Sequence, residues 1–275
     1  MKKLLIILLL SLFPISINAS PLTPEDEIEI PIIMYHLITE KPKYIGKYGI
    51  TPQDLESDLK YIKENGYTTI LMQDIIDYVY NGNFLPDKPI LLTFDDGNYS
   101  DYIHLYPLLK QYDMRAVLAV IGVVSDKYTE ESVKNPTAFY PNLNWAQIKE
   151  MHNSGLVEIQ SHGYNVHGRG GSGEKRGENQ DTYHSRLFND LKQLQDACVL
   201  NLNGYAPNTF VYPLGVVGKN SRTVLEQLGM LSSLSCQEGV NILKPGDADS
   251  LFKMYRYNRP SGQNVQEILN KFHNN

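Results

Sequence analysis

Short apolar runs alternate with amphipathic stretches along most of this chain. Residues 31–36, 67–72, 90–94, 115–121, 157–161, 209–212, 231–234 and 252–257 read as strands. Between them, apolar positions recur at helical spacing. Leu55, Leu59 and Ile62 follow a start at Thr51-Pro52-Gln53-Asp54 and stop at Gly66, and Leu187, Leu191, Leu194 and Cys198 mark a longer helix. Shorter helices are expected near 74–80, 102–112, 144–152, 221–228 and 265–272. Residues 125–143 show no period and are expected to be irregular, and the five glycines of 168–177 predict a mobile loop.

About eight strands joined mostly by helices predict parallel pairing through crossovers. The fold class is therefore α/β, a distorted (β/α) barrel of about seven to eight mostly parallel strands. In such folds chemistry gathers at the carboxyl ends of strands, and His36, Asp95, Asp96 and His162 all fall at such ends.

The N-terminus differs in kind. Lys2 and Lys3 precede an apolar run, Leu4 to Ile17, with a small residue at Ala19. That layout predicts a secretory signal peptide over 1–19, followed by an acidic linker over 20–30 and one domain over 31–275. The run is short and broken by Ser11 and Pro14, so no stable membrane span is expected in the mature chain. Removing 1–19 takes the formal charge from -6 to -6 - 2 = -8, which argues against a nucleic-acid partner. Export permits a disulfide between Cys198 and Cys236, and two separate buried thiols fit the sequence equally well.

The chemistry concentrates in Thr93-Phe94-Asp95-Asp96-Gly97 and in Ser161-His162 through His167. Neighbouring side chains leave a strand in opposite directions, so Asp95 and Asp96 can take different partners. Histidines five apart would diverge by about 140° on a helix. One at a strand end and one in the following turn can converge. Two imidazoles and a carboxylate leave positions open for water and substrate, as a catalytic metal site requires. A dehalogenase-type phosphatase would need its two aspartates two residues apart, and these are adjacent.

These blocks resemble the polysaccharide deacetylases of carbohydrate esterase family 4, the NodB-homology group. Tyr212-Pro213-Leu214-Gly215 is similar to a third block of that family, and the resemblance extends over about residues 31–274, with core motifs from about 88. Met34-Tyr35-His36, Leu143-Asn144-Trp145 and Tyr255-Arg256-Tyr257-Asn258 also match family blocks.

The resemblance implies Asp95 as general base, and Asp96, His162 and His167 as ligands of one divalent ion, zinc ahead of cobalt or nickel. It implies the backbone N–H of Leu214 as oxyanion donor, and places Tyr212, Pro213 and Trp145 against the substrate. Val211 stands where many members have a base-orienting arginine, and Arg256 is the expected substitute. The family's final histidine motif has no counterpart, which leaves His36 as the spare acid. The implied activity is N-deacetylation of a cell-wall or exopolysaccharide glycan by a secreted monomer at the cell envelope. A glycan-binding homologue that has lost turnover is the alternative.

Overall fold

A computed structural model describes residues 27–137, 139, 141–168 and 170–274. The expected leader, residues 1–19, lies outside the described residues. The first half of the chain forms strands β1 (Ile28–Glu29), β2 (Ile32–Tyr35), β3 (Leu37–Ile38), β4 (Gly49–Ile50), β5 (Thr68–Ile70), β6 (Pro89–Asp96) and β7 (Ala116–Val120). Helices α1 (Pro52–Glu64), α2 (Met72–Asn81), α3 (Tyr106–Tyr112) and α4 (Gly122–Lys134) lie among and after them, and a π-helical turn, Asp101–Leu105, leads into α3. The second half adds α5 (Trp145–Asn153), β8 (Val157–Ser161), α6 (Gln180–Asn201), β9 (Thr209–Val211) and α7 (Ser221–Gln227). It ends with β10 (Ser232–Leu234), β11 (Ile242–Leu243), β12 (Tyr257–Asn258) and α8 (Val265–His273).

The main sheet runs β10-β9-β8-β7-β6-β2-β12, every pair parallel, and β5 joins the first half of β6. Met254, just before β12, bridges back to Leu234 of β10. The N–H of Ser235 donates to Met254 O, and that of Met254 to Ser233 O, both at 2.9 Å. This closes the strands into a distorted barrel.

Alternation along each strand divides two apolar layers. Ile90, Leu92 and Phe94 of β6 face outward and pack with Leu55, Leu59 and Ile62 of α1 and with Ile268 and Leu269 of α8. Leu91, with Ile32, Val117, Ala119, Val211 and Leu234, fills the interior. Burying each such side chain contributes about 1.5–3 kcal/mol. The inward row of β6 continues Leu91, Thr93, Asp95, so the interior turns polar toward the carboxyl ends of the strands.

The helix start at Thr51 forms as expected, with reciprocal bonds between Thr51 and Asp54. Four expectations change. The segment 20–30 is not all linker: β1 pairs antiparallel with β11, and Ile30 is fully buried. Its Glu27-Ile28-Glu29-Ile30 alternation is a strand pattern masked by its acidity. Residues 122–134 form a helix that no apolar period marked, since α4 buries Gly122 and Ser125 rather than an apolar stripe. A Cβ on Gly122 would lie 2.4 Å from the Tyr164 ring, so glycine permits that contact. In the glycine-rich loop, Gly171, Ser172 and Gly173 are buried against the turn near Pro213 and Val216. The strand expected over 252–257 is displaced: β12 shares only Tyr257 with it and runs on to Asn258. Cys198 and Cys236 are both unpaired.

Candidate active site

Asp95 ends the inward row of β6 and is almost wholly buried. Arg256, which directly precedes β12 and is also fully buried, meets it with both ends of its guanidinium: Nη1 donates to Oδ1 at 2.8 Å and Nη2 to Oδ2 at 2.9 Å. The remaining donors of Arg256 reach Ser235 O at 2.7 Å, Thr93 Oγ1 at 3.1 Å and Cys236 Sγ at 3.5 Å. Burial alone would raise the Asp95 carboxyl, but the charge of Arg256, joined by His162, holds it well below the usual carboxylate range. Val211, where an arginine was missing, packs into the barrel interior, and Arg256 enters from the other side of the ring.

Asp96 turns the other way. Its backbone adopts a left-handed φ of 77°, unusual for a non-glycine residue and of a kind that clusters at functional sites. Gly97 follows at φ 64° and packs beside Val120. Asp96 Oδ1 lies 3.1 Å from His167 Nε2 and 3.5 Å from His162 Nε2. One ligand atom from each of the three residues lies within 4.8 Å of the other two.

His162 Nδ1 contacts the Val211 carbonyl at 2.8 Å. A carbonyl only accepts, so Nδ1 carries the proton and Nε2 presents its lone pair toward Asp96. Burial lowers the His162 pKa, which favours that neutral form. Asp96 Oδ1 is buried with no hydrogen-bond partner. An orphaned carboxylate oxygen between two imidazole nitrogens, one with its tautomer fixed from behind, suits a divalent ion with nitrogen and oxygen ligands.

The turn carrying His167 is held by Asp190 of α6, whose carboxylate accepts the N–H groups of Tyr164 at 2.7 Å and Asn165 at 2.8 Å. Nothing in sequence spacing marks Asp190. His36 lies on the opposite side, with Nε2 3.9 Å from Asp95 Oδ2. His36, Asp95, Asp96, His162 and His167 open into one cavity of about 640 Å³, which Leu214 and Cys236 also line. Leu214 sits at φ 58° in the turn Pro213–Gly215 with its side chain exposed.

Three expected substrate contacts are not part of this cavity's lining. Tyr212 is fully buried and its hydroxyl pairs with Ser221 Oγ at 2.8 Å, while Pro213 is buried beside it. Trp145 packs into the outer core, its indole N–H bonded to Asp126 at 2.6 Å. Buried aromatics with satisfied polar atoms serve packing here. The wall instead comes from the loop between β3 and β4, including Lys43, Tyr44, Lys47 and Tyr48. The repeated Lys-Tyr pair was the available signal for it.

A model of the polysaccharide deacetylase family matches residues 83–232, and the chain belongs to that family. A poly-beta-1,6-N-acetyl-D-glucosamine N-deacetylase of Escherichia coli (strain K12) is 26% identical over 249 residues, covering 83% of this chain and 37% of that protein. The protein of the same name from Staphylococcus aureus (strain MSSA476) is 23% identical over 196 residues, covering 71% of this chain and 64% of its own length. The chain thus spans less than two thirds of these curated relatives. The solved structure of a de-N-acetylase from Aggregatibacter actinomycetemcomitans superposes with a TM-score of 0.73 at 26% identity, over 88% of this chain and 99% of that one.

Proposed function

We propose that this protein is an exported, metal-dependent N-deacetylase of an N-acetylglucosamine polymer. The observation that carries the reading is the division of labour between adjacent carboxylates: Asp95 faces Arg256, and Asp96 faces two histidines. The names of the E. coli and S. aureus relatives favour a β-1,6-linked polymer. Lys2, Lys3 and the apolar run after them favour export.

Asp96, His162 and His167 would hold the ion, with zinc the first choice for this donor set. When bound, a divalent ion there supplies Lewis acidity and makes water easier to deprotonate. Asp95, held ionised by Arg256, takes the proton of the attacking water. The N–H of Leu214, in the turn at the cavity wall, donates to the carbonyl oxygen as it gains charge. His36, across the cavity at 3.9 Å from Asp95, is the proposed group that returns a proton to the departing nitrogen. Water and an acetamide become acetate and a free amine.

The direct test is to count both products from soluble β-1,6-linked N-acetylglucosamine oligomers. One new amine per acetate is the expected result. Neither product would favour a protein that only binds glycan.

A further inference from the structure

His36 enters the cavity without the support that orients His162. Behind His162, the Val211 carbonyl fixes the ring through Nδ1. The Nδ1 of His36 is buried and has no hydrogen-bond partner among the described residues. Rotation about the second side-chain torsion of histidine is soft. A ring that no hydrogen bond holds must be aimed by packing.

That packing comes from Tyr48. Its ring centroid lies 4.7 Å from that of His36, with the two planes tilted by 52°. Two rings at that spacing are in direct contact. Tyr48 is half exposed on the cavity wall, yet its loop is pinned on every side. The N–H of Leu37, the residue after His36, donates to Tyr48 O at 3.0 Å. The N–H of Gly46 donates to Gly49 O at 2.9 Å, and that of Ser261 to Gly46 O at 2.8 Å. A Cβ on Gly49 would lie 2.0 Å from Tyr44 O, so glycine is what lets the loop close this tightly. Asn258 Nδ2 donates to Lys47 O at 2.8 Å. Asn258 lies on β12, two positions beyond Arg256, so one short segment sets both Asp95 and the loop beside His36.

We propose that Tyr48 is a positioning residue: its ring aims His36 Nε2 into the cavity, toward the departing amine. The inference rests on the deacetylase reading for the reaction. In that reaction the C–N bond breaks, its electron pair stays on nitrogen, and the nitrogen takes the proton carried by His36 Nε2. In an aryl acetate the C–O bond breaks instead, and the phenolate leaves with the electron pair and needs no proton. A residue that aims His36 therefore matters to the amide and not to the aryl ester. A residue that only shapes the cavity matters to both.

The test measures kcat and KM for wild type, Tyr48→Ala, Tyr48→Phe, His36→Ala and the double alanine variant, each loaded with zinc. The substrates are soluble β-1,6-linked N-acetylglucosamine oligomers and p-nitrophenyl acetate. Tyr48→Ala should lower kcat on the oligomers about tenfold to a hundredfold, the scale of a misaimed catalytic group, and alter the aryl ester rate by less than about twofold. Tyr48→Phe keeps the ring and should recover most of the loss. In the His36→Ala background, Tyr48→Ala should cost nothing further, because the two residues act as one unit.

Equal loss on both substrates, or an undiminished loss in the His36→Ala background, overturns the proposal. Proton NMR reads the contact without substrate. The His36 ring-proton signal, identified by its absence in His36→Ala, should shift in Tyr48→Ala as the neighbouring ring is lost. It should return toward its wild-type position in Tyr48→Phe, and a signal that does not move overturns the proposal. Wild type that releases no acetate from the oligomers refutes the deacetylase reading and the proton transfer with it, and the NMR signal then decides the contact alone.

Discussion

Arg256 and Asp95 lie 161 positions apart and share two parallel hydrogen bonds, at 2.8 and 2.9 Å, with both side chains almost completely removed from water. The pair joins the last segment of the barrel to its central strand. It also fixes the orientation and charge of one carboxylate at the floor of the cavity.

Arg256→Leu leaves the Asp95 charge buried and alone. We expect a stability loss of about 3–5 kcal/mol in denaturant titration, typical of a buried pair that has lost one partner. Arg256 lowers the Asp95 pKa, so its removal must raise it, and the acid limb of kcat/KM must move to higher pH. An unshifted acid limb in a folded variant would show that Asp95 is not the titrating base.

Asp95→Asn keeps the shape of the side chain and removes its basicity. Turnover should fall at least about a hundredfold, in line with the loss of a general base. Metal content, read by elemental analysis, should match wild type because Asp96, His162 and His167 are untouched. Normal turnover would move the base elsewhere.

His162→Ala and His167→Ala should each lose tight binding of zinc. His162 is buried and bonded to the Val211 carbonyl, whereas His167 is partly exposed, so the first variant should also lose more thermal stability. Zinc should raise the Tm of wild type and leave that of both variants unchanged, as expected when a ligand binds only the native state.

Glu158 gives a pH signature away from the site. Burial pushes its carboxyl up to about 7 from an ordinary 4.5, against the opposing N–H groups of Met72 and Gln73. The folded pKa is the higher one, so the native state binds the extra proton between those values. Stability from this group therefore falls as pH rises from about 4.5 to about 7, by an amount on the order of 3 kcal/mol. Glu158→Gln should gain on wild type as the pH of a denaturation series is raised through that window. Parallel curves would contradict the shift.

The central strand and its two carboxylates were legible because charge at the tip of an apolar run has few structural reasons. His162 and His167 could converge from a strand end and its turn, and the resemblance to the deacetylases singled them out as ligands. Arg256 was found through the absence of an arginine at Val211. Trp145 and Tyr212 lie buried outside the cavity lining, and an aromatic residue in a motif looks alike in sequence whether it packs or binds. Asp190 was invisible, and the Tyr44–Tyr48 wall left only its repeated Lys-Tyr pair as a signal. They act through loops and a distant helix face, where period and spacing carry no signal. The helix over 122–134 was missed because glycine and serine, not leucine, touch the core.

The most direct measurement is acetate release from β-1,6-linked N-acetylglucosamine oligomers by chelated protein, before and after zinc, cobalt or nickel is restored. Release that disappears on chelation and returns with one ion per chain is the predicted result. Protein that binds no ion, or that releases acetate equally well without one, would contradict the assignment of Asp96, His162 and His167.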